Sequence, residues 1–153
     1  MAYEVVFMHF LDGNAVPFEP EQARRVFLEF GITEFGDPAY VSLPGGPSLD
    51  CYTAGIESDA MMSDFSIEFR GLSASLFEFI FRLCDEAHLV AIVVDTPALP
   101  LVAHESDIAN IPEEIKAEHA PLLCLTKEAV ANVISPGFNQ WRKWADDRPT
   151  NIG

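Results

Sequence analysis

Residues Tyr3 to Phe10 would point alternately to two sides of a strand, yet both sides are apolar: Val5 and Phe7 fall on one, Val6, Met8 and Phe10 on the other. Such a strand needs cover on both faces, which places it near the middle of a sheet. The remaining segments must be arranged around it. Phe65, Ile67 and Phe69 alternate with Ser66, Glu68 and Arg70, which predicts a half-buried strand with one wet face, so the sheet is not covered everywhere. Ala39 to Leu43 and Leu49 to Thr53 are joined by Pro44-Gly45-Gly46-Pro47 and predict a hairpin. Leu89 to Val94 is a β-branched run that predicts a buried strand ending at Asp95-Thr96-Pro97.

Helical spacing joins Ala23, Val26, Phe27 and Phe30 between Pro20 and the stop at Gly31. A second helix with a wide apolar face is expected from about Ser73 to Ala87, through Leu76, Phe77, Ile80, Phe81, Leu83 and Cys84. Prolines at 97 and 100 interrupt any extension. Downstream the pattern predicts short helical pieces: Pro112 to His119, a stretch opening at Thr126 with Glu128 near its start, and Pro136 to Asp146. The order strand, helix, hairpin strands, helix, strand resembles the split βαβ plan of ferredoxin-like domains with an extra strand. The expected fold is therefore α+β: a ferredoxin-like-related mixed sheet with helices on one face and a short C-terminal helical extension. With 153 residues, 49% of them hydrophobic, and no repeat or Gly/Ser linker, residues 1–153 are expected to form a single domain.

Charge restricts function more than any motif does. Twenty-four acidic against nine basic side chains leave a formal charge of -15, the wrong sign for a nucleic-acid binder working by phosphate neutralisation or for docking on anionic lipid. The longest apolar runs, around Phe77 to Cys84 and Leu89 to Val94, are far short of the ~20 residues that span a bilayer. The N-terminal stretch has no basic segment ahead of its apolar residues and does not read as a signal peptide, so a cytoplasmic location is expected. Cys51, Cys84 and Cys124 are odd in number and lie in apolar surroundings, as suits reduced core thiols; Cys51, on a hairpin strand, is the one expected nearest to solvent.

Few residues suggest bond-making chemistry. His104, Glu105 and Asp107, with His119 beyond them, are ligand types a metal site could use. An HExxH motif would need a second histidine at position 108, which is Ile108. No nucleophile elbow, SxxK or cysteine-protease signature occurs. Gly45-Gly46 lacks a following lysine and is expected to be a turn. His9 is expected to find a backbone partner at a strand end, and His88 to cap a helix C-terminus. No catalytic residue, metal or cofactor is expected, and the enzymatic alternative is a small metal-dependent hydrolase using His104, Glu105 and His119.

The acids are segregated along the chain. Between Arg25 and Arg70 there is no lysine or arginine, but there are Glu29, Glu34, Asp37, Asp50, Glu57, Asp59, Asp64 and Glu68. Between Arg82 and Lys116 lie Asp85, Glu86, Asp95, Glu105, Asp107, Glu113 and Glu114, again with no base, while the tail carries Arg142, Lys143 and Arg148. Concentrated acids speed encounter with a basic partner. Met61 and Met62 lie among Glu57, Asp59 and Asp64, a composition resembling an interface patch, although one methionine could instead cap the core. Glu105, Asp107, Glu113 and Glu114 form a second candidate patch.

Small size, strong acidity, an α+β pattern and the lack of a catalytic constellation resemble the bacterial immunity proteins made against type VI or contact-dependent toxins. That resemblance implies a stoichiometric inhibitor that binds a basic toxin domain and occludes its active site. A third reading is a homodimeric adaptor using Phe138, Trp141 and Trp144 on the last helix, although docking on the core is the more natural role for that stripe.

Overall fold

The computed structural model describes residues 3–147; Arg148 lies outside them. The strands are β1 (Tyr3–Met8), β2 (Phe10–Leu11), β3 (Asn14–Ala15), β4 (Ala39–Ser42), β5 (Ser48–Tyr52), β6 (Asp64–Phe69), β7 (Val90–Val93), β8 (Leu99–Val102) and β9 (Leu122–Leu123). The helices are α1 (Glu21–Glu29), α2 (Ala74–Ala87), α3 (Glu105–Ile108), α4 (Glu113–Glu118) and α5 (Lys127–Asp147). Seven strands form one sheet in the order β4-β5-β6-β1-β7-β8-β9, and β2 pairs with β3 in a separate small ribbon. All neighbours in the large sheet are antiparallel except β8 and β9. The β5-β6-β1-β7 centre follows the split βαβ plan, with α1 and α2 as its crossovers.

The expected central strand is found. β1 pairs on both sides, and Tyr3, Val5 and Phe7 face the main core with Phe65, Ile67 and Phe69 of β6. Phe7 and Phe65 stack at 5.0 Å, and Phe27 of α1 meets both Phe65 and Phe79 of α2 edge-on. Burying side chains of this size contributes about 1.5–3 kcal/mol each, enough to hold α1 and α2 on this face without ionic help. The N-terminus of α2 is capped by Ser73, whose hydroxyl accepts from Leu76 N–H and donates to the Gly46 carbonyl in the β4–β5 turn. Gly45 and Gly46 both take positive φ there, the conformation their lack of a side chain permits.

Three expectations need correction. Pro100 does not end the sheet: it lies within β8, opposite Ile92. β9 reaches only Leu101 and Val102, so β8 is an edge at Pro100, where a missing N–H is tolerated. The last two helical pieces are one 21-residue helix that runs through Pro136. The carbonyl deprived of its donor belongs to Asn132, on the exposed side of the helix where water can replace the bond. This helix is no short extension, because Val130, Ile134 and Phe138 enter the main core. The helices are also not confined to one face. α1, α2 and α5 cover the Val5 and Phe7 side, while Ile108, Ile111 and Ile115, from α3, α4 and the turn between them, pack with Phe10 on Met8, Val90, Ile92 and Val102 of the other side.

The contact between α5 and β1 is close at Gly137. A Cβ built there would lie 2.5 Å from Asp95 Oδ2 and 2.6 Å from the Tyr3 hydroxyl, which donates to Asp95 at 2.7 Å. Tyr3 is wedged by Phe69, Phe138 and Trp141 and cannot retreat. Gly137→Ala should therefore destabilise the fold by about 1–2 kcal/mol in urea titrations, despite alanine's better helix propensity. Tyr3→Phe removes one clashing atom, so adding Gly137→Ala to that variant should cost less than it does in the parent chain.

Candidate functional site

One half of the sheet's second face has no cover. The packing of α3, α4 and Phe10 reaches β7, β8 and the Met8 end of β1, whereas no helix among the described residues packs on that side of β4, β5 and β6. Strand parity decides which side chains face this side. Inward-facing Leu49, Cys51, Phe65, Ile67, Phe69, Val5 and Tyr3 are buried, so their alternates Asp50, Tyr52, Asp64, Ser66, Glu68 and Glu4 share the open side, Tyr52 and Asp64 exposed and the others half-buried.

Register then aligns like charges. Tyr40 pairs with Asp50, Asp50 with Glu68, and Glu68 with Glu4, giving one row of a tyrosine and three carboxylates across four strands. The adjacent row contains Tyr52, Ser66 and Val6. A hollow of about 580 Å³ opens here, lined by Glu4, Asp37, Tyr52, Asp64, Ser66 and Glu68 among others. Arg70 lies 3.7 Å from Asp50, but among the described residues Glu4, Asp64 and Glu68 have no ion pair. The Tyr52 phenol is pushed up to about 12, first by a hydrogen bond to Glu68, then by desolvation and by the charges of Glu68 and Asp50. Tyr40 is 73% exposed, a large aromatic surface left in water.

The first candidate patch is only partly on this face. Asp64 belongs to it, at the start of β6. Met62 does not: it is buried, its backbone exchanges two hydrogen bonds with Phe18, and it caps the core, which corrects its assignment as a surface contact. Met61 is exposed. Asp59 lies 3.9 Å from Arg24, which also donates to the carbonyls of Ile56 and Ser58 and so ties down the loop that carries Glu57.

The second patch lies over β7 and β8. Asp107 is 3.3 Å from His88 Nδ1 and Glu113 is 3.0 Å from Lys116, so two of its four acids have cationic or ionisable partners; Glu105 and Glu114 are exposed. β1 and β7 separate β6 from β8 in the sheet order, so Asp64 and the second patch belong to different regions of the second face.

His104 and His119 engage separate partners. His104 Nε2 contacts Asp85 and its ring stacks on His88 at 4.3 Å, while His119 Nδ1 meets the neighbouring Ala120 carbonyl. Among the described residues no three His, Cys, Asp or Glu side chains are placed to hold a metal ion. His9 differs from its expectation, since its Nδ1 is buried without a hydrogen-bond partner. Cys51 is not the open thiol: all three cysteines are buried, and burial pushes Cys51 up to about 12 and Cys124 to about 11. Phe138 is buried and Trp141 packs against the core, so the C-terminal stripe is largely used within the chain. No described helix is long and apolar enough to cross a membrane.

Compared with protein-family models, curated proteins and solved structures, the chain gives no match. The open face is therefore interpreted from its own chemistry.

Two measurements check this description. Glu68→Gln keeps an acceptor for Tyr52 and removes the central charge of the row, so at low salt it should stabilise the chain by about 0.5 kcal/mol, with the gain shrinking as salt is added. A loss of stability at low salt would contradict the repulsive row. Because the raised thiols stay protonated at neutral pH, all three cysteines should resist alkylation at pH 8 in the native chain and react once urea unfolds it.

Proposed function

We propose that this chain is a non-catalytic inhibitor of the immunity-protein kind, which binds a basic toxin domain one to one and blocks its active site with the open half of the sheet. The observation that carries this reading is the row Asp50, Glu68 and Glu4 on an uncovered sheet face, bordered by Tyr40 and Tyr52. Carboxylates aligned across strands repel one another and lower stability, whereas a cationic partner would convert that repulsion into attraction. Tyrosines at the border would add apolar contact area to a surface that charge alone would make long-ranged and weakly specific. The net charge of -15 would raise encounter rates with a basic protein.

Cytoplasmic action fits a toxin with a cytoplasmic target. A hydrolase has less support, because His104 and His119 face different partners. An adaptor dimerising through α5 has less support too, because Phe138 and Trp141 already pack within the chain.

The test is whether a gene beside this one encodes a basic toxin domain and, if so, co-expression with it, which should restore growth of the host and saturate at one to one. Glu68→Lys combined with Asp64→Lys should lower the association rate constant at least ~10-fold at low salt and much less at high salt. Glu113→Lys with Glu114→Lys, on α4, should change it less than ~3-fold. A toxin domain left fully active by saturating chain, or equal effects of the two pairs, would overturn the proposal.

A further inference from the structure

We infer that β4 is a docking edge, to which an extended basic segment of the partner adds as an eighth strand. The inference rests on the reading of this chain as a binder of a basic protein and specifies how that protein is held.

β4 ends the seven-strand sheet. Leu43 N–H donates to the Pro47 carbonyl at 3.1 Å, so ladder alternation turns the backbone groups of Val41 and Ala39 inward to β5. The N–H and C=O groups of Tyr40 and Ser42 therefore point away from the sheet, and no hydrogen-bond partner meets them among the described residues. β4 contains no lysine, no proline and no bulge, devices that commonly protect an edge from pairing. It is short, and residues 31–34 flank it across a hollow of about 180 Å³ lined also by Tyr40, Val41 and Ser42, which leaves space beside the edge without closing it.

The edge is also held in place before anything binds. Ser73 and Ser75 at the N-terminus of α2 each donate to the β4–β5 turn, to the carbonyls of Gly46 and Pro44, both at 2.7 Å. An incoming strand would meet a fixed template, and little further ordering of this chain would oppose binding.

Charge distinguishes the possible occupants. Glu34 and Glu57 line a hollow beside Tyr40 on the flank of β4, and Asp50 follows Tyr40 in the row across the open face. No lysine or arginine occurs between Arg25 and Arg70, the interval that contains β4, β5 and β6. A second copy would bring the same acids and another charge of -15 to this edge. A strand with arginine at alternate positions instead places guanidinium groups over the Tyr40 ring and within reach of Asp50, while its backbone pairs with Tyr40 and Ser42.

The probe is an end-capped eight-residue peptide alternating arginine and threonine, compared with the same peptide N-methylated at every second residue in either phase. Binding of the parent peptide should slow amide exchange at Tyr40 and Ser42 at least ~10-fold, and one N-methylation phase should weaken affinity at least ~10-fold. Ser42→Pro removes an outward N–H without touching the β5 ladder and should weaken the parent peptide similarly. The inference is overturned if the peptide does not bind, if both N-methylated forms bind as well as the parent, or if exchange at Tyr40 and Ser42 is unchanged on binding. It is also overturned if those amides become protected with rising protein concentration alone, since a second copy would then occupy the edge. If Ser42→Pro leaves toxin inhibition intact while Glu68→Lys with Asp64→Lys weakens it, the edge inference fails and the open-face reading survives. If neither variant matters and the toxin is not bound, that reading fails as well.

Discussion

The pairing of β1 on both sides is the constraint on which the rest depends. It fixes the direction of Val5 and Phe7, which face a core built with Phe65, Phe27 and Phe79 and need helices above them. The same alternation sends Val6 and Met8 to the other side, where Met8 is met by the smaller cluster that includes Ile108, Ile111 and Ile115. Glu4 shares their parity but lies toward the opposite end of the strand. The switch from methionine to glutamate along one face of one strand thus marks where cover ends and the open, acidic half of the sheet begins.

Much of the fold was legible because hydrophobic periodicity reports burial directly. The hairpin, the half-wet strand around Ile67 and both long crossover helices follow from spacing alone. Proline misled twice, for opposite reasons: Pro100 lies where β8 is an edge, and Pro136 lies where the freed carbonyl faces water, and neither circumstance is visible before the neighbours are known. The site was less legible. Asp50, Glu68 and Glu4 are far apart in the chain, and a one-residue slip in either pairing would have turned a carboxylate toward the core or broken the row. Met62 was ambiguous for a related reason, because which of two adjacent methionines points inward is decided by how the loop is placed, where Met62 pairs with Phe18 and is buried while Met61 is exposed.

On the open face, the proposed binding role and stability would pull in opposite directions. A neutral residue at position 68 would relieve repulsion from Asp50 and Glu4 while keeping the bond from Tyr52, so the fold does not require this carboxylate. The acids elsewhere differ in this respect. Glu29 pairs with Arg82, Asp59 approaches Arg24 and Glu113 pairs with Lys116, so each already has a cation beside it. The carboxylates without ion pairs in the hollow are those for which an external cation would make the largest electrostatic difference.

The open face and the β4 edge would act together, because they meet at Tyr40. Its ring lies on the face and its backbone groups lie on the edge, so one extended segment could pair with the edge while its alternate side chains cross to Asp50. Backbone pairing by itself discriminates poorly among sequences, and a carboxylate row by itself attracts any cation. Joined at one residue, they would demand both an unpaired strand and a basic side chain at a fixed register. That combined demand gives a route to specificity which neither the net charge nor the free edge could provide alone.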